Sequence, residues 1–178
     1  MTAKRNIQLL LLLGVAACGR VSPIQARRLV ERYNQVVSEA YRRNDLQLID
    51  AVVAPNSVAG RNLTGLIGVR ADLGITMEAH LDALEVRGVA QTGSDSLEVR
   101  TRERWTYRDL RADNGAPVGE PSQDRYELLY LLRHVKGRWM VMETQFTAPP
   151  QIGRKAAPWQ MDARDAHAMS SPNSGGNP

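Results

Sequence analysis

The feature of this chain that most constrains its fold is a change in the spacing of its apolar residues near Met77. Before that point, from Ile24 onward, apolar residues recur every three or four positions, which is typical of one face of an α-helix. After it, apolar and polar residues alternate, which predicts strands with one buried face. A chain whose helices precede its strands predicts an α+β domain with an antiparallel sheet.

The same spacings place the individual elements. Ser22-Pro23 offers a capping side chain and a proline for a first helix that ends near Arg43. Two shorter helices are predicted at residues 46–53 and 60–73. Four strands are predicted at residues 77–91, 96–110, 124–135 and 138–147, with tight turns at residues 92–95 and 135–138. The small and polar residues of the segment 148–178 predict a disordered C-terminal tail.

The register of the first hairpin decides which side chains share a face. With Gly93-Ser94 in the turn, Leu84 lies opposite Glu103 on a face that is mostly apolar. The reverse face pairs Glu85 with Arg102 and carries further charges, so the apolar face is expected to cover the helices. At one end of that inner face the register brings together a polar and aromatic group: His80 opposite Tyr107, and Asp82 opposite Trp105, beside Glu103.

The strand region resembles a known superfamily. The residues that carry the resemblance are Leu84-Glu85-Val86, Trp105-Thr106-Tyr107, residues 126–132 and Gly137-Arg138-Trp139, within a domain predicted at residues 22–147. They are similar to the cone-shaped fold of nuclear-transport-factor-2-like proteins, and more narrowly to the IMS-type domain of chloroplast-division proteins and its bacterial relatives. The resemblance implies three helices packed on a strongly curved four-stranded antiparallel sheet. It implies little about activity, because the superfamily holds enzymes and binding modules alike.

The second hairpin, with Lys136-Gly137 as its turn, carries apolar residues on both faces. By the same resemblance, the face with Tyr126, Tyr130 and Glu143 is expected to point inward and to complete a candidate pocket. The opposite face would then be an exposed apolar patch, which often marks a partner surface. The members of this candidate interface are Leu129, Leu131, Met140, Met142 and Phe146. The alternative is that the bent sheet buries both faces within one chain, under the C-terminal tail.

The segment before the domain indicates export. Lys4 and Arg5 precede a short apolar run, and Val15-Ala16-Ala17-Cys18 supplies small residues before the only cysteine of the chain. The run is too short to span a bilayer, so it is typical of a signal peptide. Its end resembles the lipobox of bacterial lipoproteins, which implies removal of residues 1–17, acylation of Cys18 by chains such as palmitate, and a tether over residues 18–21. The alternative is a plain secretory signal with an incidental cysteine.

The charge and the cysteine content of the chain limit which compartment and which partners are expected. Removing residues 1–17 takes away two basic residues and leaves 21 basic and 19 acidic ones, a net charge of +2 without a long basic run, so a nucleic-acid partner is not predicted. A single cysteine forbids an internal disulfide and a cysteine-rich metal site. By resemblance to the sorting pattern of enteric lipoproteins, Gly19 rather than an aspartate after Cys18 favours the outer membrane, with the domain facing the periplasm.

The candidate pocket has a catalytic and a structural interpretation. Resemblance to the acid–base isomerases of the superfamily implies that Asp82 or Glu103 would act as a base beside a hydrogen-bonding tyrosine. The structural interpretation pairs Glu103 with a helix arginine, such as Arg61 or Arg70, and makes the tyrosines core residues. The three histidines have no ligand-like spacing, and neither a phosphate loop nor a serine elbow is present, so we predict no metal and no cofactor.

These observations favour a membrane-anchored lipoprotein of the bacterial cell envelope whose domain is a non-enzymatic binding module. Its expected partners are the membrane, through the N-terminal lipid, and an envelope protein or a second copy of the chain, through the sheet. A small apolar ligand in the cone is the other possible occupant. The alternatives are an envelope enzyme of the isomerase or dehydratase type, and a carrier of a small hydrophobic molecule.

Overall fold

A computed structural model describes residues 20–153 of the chain. Its elements are α1 (Pro23–Arg43), a 3₁₀ helix (Leu46–Ala51), α2 (Val58–Asp72), β1 (Ile75–Gln91), β2 (Ser96–Arg111), β3 (Ser122–Val135) and β4 (Arg138–Phe146). The predicted signal peptide, the predicted lipidation site Cys18 and residues 154–178 of the predicted tail lie outside the described residues. No helix among residues 20–153 combines the length and the apolar character needed to cross a membrane.

Helix α1 begins and ends where the sequence predicts. The Ser22 hydroxyl accepts a hydrogen bond from the Gln25 backbone N–H, and the Gln25 side chain accepts one from the Ser22 N–H, which together form a capping box. Asn44 ends the helix in the left-handed conformation, at a φ of 50°, and its backbone N–H donates to the Ala40 carbonyl. The first predicted helix is therefore confirmed.

The second predicted helix is a short 3₁₀ helix instead. After Ala51 the chain leaves helical geometry and lies beside β4, where the Val141 N–H donates to the Val52 carbonyl and the Ala54 N–H donates to the Val141 carbonyl. These bonds to a strand that is distant in sequence satisfy backbone groups that a longer helix would have used internally. The apolar residues of this segment reach the core through the sheet edge rather than through an α-helical face.

The sheet is an antiparallel meander in the order β1-β2-β3-β4, and α1 packs across its inner face. Lys136 and Gly137 both have positive φ values, 48° and 82°, as a tight two-residue hairpin turn requires. The buried core forms between the helices and this inner face; it includes Val30, Tyr33, Ile67, Leu84, Leu97, Val99, Tyr130, Leu132 and Val141. The predicted α+β fold, with helices packed on a curved four-stranded antiparallel sheet, is confirmed.

Two β-bulges change the register of the first hairpin. The predicted pairing holds between Ala83 and Val86, where Leu84 lies opposite Glu103. Register shifts at Asp82 and at Arg87 each move the adjoining part of the hairpin by one residue. The predicted pairings at the far end are therefore wrong; the observed ones are Leu81 opposite Trp105, His80 opposite Thr106, and Ala79 opposite Tyr107. A bulge adds one residue to one strand, so beyond it every side chain of that strand changes face.

A third bulge, at Met142, changes the second hairpin in the same way. The pairing Leu132–Val141 follows the predicted register, but the next pair is Leu131–Glu143. Beyond the bulge Phe146 lies opposite Leu128. Glu143 therefore leaves the predicted inner face, and Phe146 leaves the predicted outer patch to join the inner face.

The outer face of the second hairpin keeps part of the candidate interface. Met140 is only 4% exposed, whereas Leu129, Leu131 and Met142 are half-buried. Together with the relocation of Phe146, this leaves a smaller apolar surface than the sequence predicted.

The described chain continues past β4 as a C-terminal strap, residues 147–153. The first N–H of the strap donates to the Glu127 carbonyl, and Arg125 and Gln151 exchange two backbone hydrogen bonds of 2.8 and 3.0 Å. The strap thus covers the edge of β3 that β4 leaves unpaired. The folded domain reaches Gly153, beyond the boundary predicted at residue 147.

A buried ion pair fixes α2 to the sheet. Arg70, whose side chain is 3% exposed, donates a 2.8 Å hydrogen bond to Asp109 near the end of β2. Its guanidinium also lies 5.8 Å from the ring centroid of Tyr41 on α1. The predicted pairing of Glu103 with Arg61 or Arg70 is therefore wrong: Arg61 donates to the Asn56 carbonyl at the start of α2.

Candidate functional site

A buried carboxylate, that of Glu103, lies at the centre of the inner face with only 1% of the residue exposed. One oxygen, Oε1, accepts hydrogen bonds from the Thr101 hydroxyl at 2.9 Å and the Tyr130 hydroxyl at 2.7 Å. The other, Oε2, accepts from the Trp105 indole N–H at 2.7 Å and the Asn34 amide at 3.3 Å. Four uncharged donors therefore satisfy the carboxylate of this group, which we term the Glu103 cluster.

Three elements supply the Glu103 cluster. Strand alternation places Thr101, Glu103 and Trp105 on one face of β2, and all three are buried. Tyr130 comes from the neighbouring strand β3, and Asn34 from the buried face of α1. The Asn34 Oδ1 atom also lies 3.2 Å from the Tyr130 hydroxyl. The cluster therefore joins the long helix to the two central strands.

Burial, with a contribution from the Glu103 carboxylate, raises the pKa of two nearby tyrosines. Burial, with the nearby Glu103 charge, raises the pKa of Tyr130 well above 10. Burial, then Tyr41 and Glu103, likewise raises the pKa of Tyr33, whose ring packs edge-on against that of Tyr130 at 5.6 Å. Both hydroxyls thus keep their protons at neutral pH, and that of Tyr130 serves as a donor to the carboxylate.

A cleft of about 280 Å³ opens beside this cluster, between α1 and the inner face. Its aromatic lining, which defines the aromatic cleft, consists of Tyr33, Tyr41, Trp105, Tyr107, Tyr126, Tyr130 and Phe146. Met77 and Leu128 add aliphatic surface. The cleft occupies the half of the sheet near the start of β1, away from the β1–β2 turn.

The rings of the aromatic cleft form a continuous row across three strands. Trp105 and Tyr107 are stacked with centroids 5.7 Å apart, and Tyr107 is 6.5 Å from Tyr126. Tyr126 in turn lies 5.7 Å from Phe146. Phe146 is 59% exposed, so the row runs from the buried Trp105 to an open rim. Such a row offers ring faces and edges to an aromatic or apolar group.

A second buried carboxylate, Asp124, lies behind the rim of the cleft and is 0% exposed. Its Oδ2 accepts a 2.6 Å hydrogen bond from the Tyr126 hydroxyl, and its Oδ1 accepts a 3.0 Å bond from the Gly153 N–H. Neither Asp124 nor Asn34 is among the site residues predicted from the sequence. The position of Asp124 two residues before Tyr126 on the same strand face was the available signal.

The structure brings five of the eight predicted pocket residues into the cleft and leaves three outside. The five are Glu103, Trp105, Tyr107, Tyr126 and Tyr130. His80, with 81% of its side chain exposed, instead lines a larger open groove of about 1190 Å³ along α1 and β1. Asp82, the bulged residue, accepts a 2.8 Å hydrogen bond from Thr106, and Glu143 accepts one from Gln145.

The side chains that line the aromatic cleft determine which groups it can bind. Its lining carboxylate, Glu103, is buried and accepts four hydrogen bonds, so its lone pairs are engaged. Within residues 20–153, no three His, Cys, Asp or Glu side chains lie close enough together to hold a metal ion. The cleft therefore offers a shaped apolar surface with hydroxyl groups, which suits binding of an aromatic or aliphatic group.

Comparison with known proteins concerns the fold. No protein-family model matches the chain, and neither does any curated protein. Among solved structures, the intermembrane space region of the chloroplast protein ARC6 matches with a TM-score of 0.57 and 18% identity, over 73% of this chain and 99% of that one. A protein of unknown function with a cystatin-like fold from Nostoc punctiforme matches with a TM-score of 0.48 and 9% identity, over 79% and 99%.

A nuclear transport factor 2-like superfamily protein from Salmonella enterica serovar Typhimurium matches with a TM-score of 0.47 and 12% identity, over 75% of this chain and 96% of that one. At such identities the likeness concerns the fold alone, because one fold hosts many functions. The chain therefore shares its fold with the intermembrane space region of ARC6, and its structural neighbours are proteins of the nuclear-transport-factor-2-like or cystatin-like fold, as the strand residues predict.

Proposed function

We propose that this chain is a lipid-anchored protein of the bacterial cell envelope whose aromatic cleft binds a partner without catalysing a reaction. The observation that carries the proposal is the engagement of Glu103 by four uncharged donors beneath an aromatic-lined opening. A general base needs a lone pair within hydrogen-bond reach of its substrate. The Glu103 carboxylate is instead used to order the cleft walls Trp105 and Tyr130.

The open rim favours a protein partner over a carried small molecule. A carrier shields its cargo within an enclosed cavity, whereas Phe146 at the rim is 59% exposed and the cleft opens to solvent. Interfaces depend on a few buried aromatic or aliphatic anchors that fill a pocket on the other side. The proposed partner is therefore an envelope protein that inserts one such side chain into the cleft.

The position of the proposed lipid anchor, Cys18, supports a cleft that is open to a partner in the periplasm. Only Gly19 and Arg20 separate Cys18 from Val21, whose N–H donates a 3.1 Å hydrogen bond to the Gln91 side chain at the end of β1. The cleft lies toward the opposite end, about 45 Å away along the strand at ~3.3 Å per residue. A lipid on Cys18 would hold the β1–β2 hairpin near the membrane and direct the cleft away from it, toward the periplasm.

Acylation of Cys18 can be tested by itself. Cells that express the chain are labelled with a palmitate analogue, and their inner and outer membranes are separated. The proposal expects label on the chain in the outer-membrane fraction and its loss in Cys18→Ser. An unlabelled protein that is released as a soluble periplasmic species would contradict the anchoring.

Binding in the cleft can be tested by photocrosslinking in intact envelopes. A photoreactive phenylalanine analogue replaces Phe146, and the matched control replaces the neighbouring Gln145, which follows the opposite face of β4. One discrete adduct is expected from position 146 only, and Tyr126→Ala should abolish it by removing a cleft wall. Glu103→Gln tests the enzyme alternative: the folded variant should retain the adduct, whereas loss of function despite normal folding and adduct formation would favour catalysis.

A further inference from the structure

The C-terminal strap ends beside the rim of the aromatic cleft. Its last described residue, Gly153, donates to one oxygen of Asp124, while Tyr126, a wall of the cleft, donates to the other. A Cβ atom on residue 153 would lie 2.3 Å from the Gln123 carbonyl oxygen, so only glycine allows this approach. The last described residue is therefore held by the same carboxylate that holds a wall of the cleft.

The sequence beyond this point carries one residue that matches the cleft. After Phe146 the chain contains a single Trp, Tyr or Phe residue, Trp159, which follows Pro158 and comes six positions after Gly153. Six extended residues span about 20 Å, which is enough to turn back over an adjacent opening. The cleft volume of about 280 Å³ lies just below the range of about 300–1,000 Å³ for ligand pockets, so it suits a single large side chain.

We propose that Pro158-Trp159 of the same chain occupies the aromatic cleft. The ring of Trp159 would join the row formed by Tyr107, Tyr126 and Phe146, whose rings lie 5.7 to 6.5 Å apart along the row. A group tethered to the site through six residues has an effective concentration in the millimolar range, so a weakly binding side chain still fills the site for much of the time. The binding of Trp159 in the cleft is reversible, and Trp159 must leave before another group enters.

Competition with a partner follows from this occupancy and rests on the proposed function. If the cleft is filled by the chain itself for nine-tenths of the time, the apparent affinity for any other occupant falls tenfold. The C-terminal segment would thus set a threshold that a correct partner overcomes and that a weak apolar contaminant does not.

The first test observes Trp159 directly. The mature lipoprotein in lipid nanodiscs is labelled with fluorotryptophan, and Trp159→Phe assigns one of its three fluorine resonances. The proposal expects the Trp159 signal to be protected from a soluble paramagnetic agent and to lose that protection in Phe146→Ser, while the Trp139 signal stays unchanged. A Trp159 signal that is fully accessible in the parent chain would overturn the proposal.

The second test measures the cleft with indole as the probe, followed through the ring signals of Tyr126. Trp159→Ala is expected to bind indole about tenfold more tightly than the parent chain, and the control Met169→Ala should match the parent. Equal affinities in Trp159→Ala and the parent would refute the occupancy. Protection of Trp159 without any partner adduct at position 146 would contradict the proposed function alone, so the two failures can be distinguished.

Discussion

The indole N–H of Trp105 donates a 2.7 Å hydrogen bond to Oε2 of Glu103, two residues earlier on the same face of β2. Both side chains point inward because strand alternation gives residues two apart the same face. The bond fixes the indole at the inner end of the aromatic row and gives the buried carboxylate one of its four donors. A residue that the sequence offers as a candidate base therefore holds one wall of the aromatic cleft in place.

Glu103→Ala should lower the free energy of unfolding by at least about 3 kcal/mol. The change removes the acceptor of four buried donors, of which the Tyr130 hydroxyl can still donate to Asn34 Oδ1 at 3.2 Å. Each of the other three, left unsatisfied, costs about 1–3 kcal/mol before relaxation or entry of water. The matched control is Glu98→Ala on the same strand, in the half-exposed outer row, which should stay within about 0.5 kcal/mol of the parent. Urea unfolding of both variants checks this; near-equal midpoints would show that the cluster contributes little.

The domain should lose stability as the pH rises above about 10. The pKa of Tyr130 and that of Tyr33 are raised in the folded state, so the fold holds these protons more tightly than the unfolded chain does. Their stabilising contribution is complete below the unfolded pKa near 10 and declines as the pH rises toward the folded values. Thermal melts between pH 8 and 12 measure the effect, and Tyr33→Phe should make the decline shallower. An unchanged melting temperature across this range would contradict the assignment.

Arg70→Met should destabilise the domain by about 3 kcal/mol, because it leaves the Asp109 carboxylate without its buried guanidinium. The double variant Arg70→Met/Asp109→Leu should recover most of that loss, since it removes both charges from the interior. Arg27→Met breaks only an exposed helix pair with Glu31 and serves as the control, with an expected change below about 0.5 kcal/mol. Additive losses in the double variant would show that the two groups are not coupled.

Gly65→Ala and Gly68→Ala should each stabilise the domain by about 0.5–1 kcal/mol. Both glycines lie within α2, and an added Cβ atom meets nothing within 4 Å, so the helix gains propensity without a clash. Gly60→Ala is the matched control in the same helix, because its Cβ would lie 3.3 Å from both the Ser57 hydroxyl and the Val53 side chain. Denaturant unfolding should rank Gly60→Ala as the least favourable of the three; the reverse order would contradict the packing.

The sequence predicted most of the local structure because local structure depends on near neighbours. The capping box at Ser22, the alternation along β2 and the turn at Lys136-Gly137 all follow from residues within a few positions of one another. Since β2 has no bulge against β3, its inner residues Glu103 and Trp105 lie where the alternation predicted. Successive side chains of a strand keep alternating between the two faces of the sheet as long as no bulge adds a residue to that strand.

Only the tertiary structure decided where that period breaks and what meets Glu103. The bulges at Asp82, Arg87 and Met142 belong to the pairing of the folded strands, which no nearby residue specifies, and they moved His80, Glu143 and Phe146 to other faces. The Asn34 amide reaches Glu103 from 69 positions away in the chain. The sequence alone thus determined which residues are strands and which are inward on an unbroken strand. The hydrogen bonds that Glu103 accepts depended on donors such as Asn34 and Tyr130, which only the folded packing brings within reach.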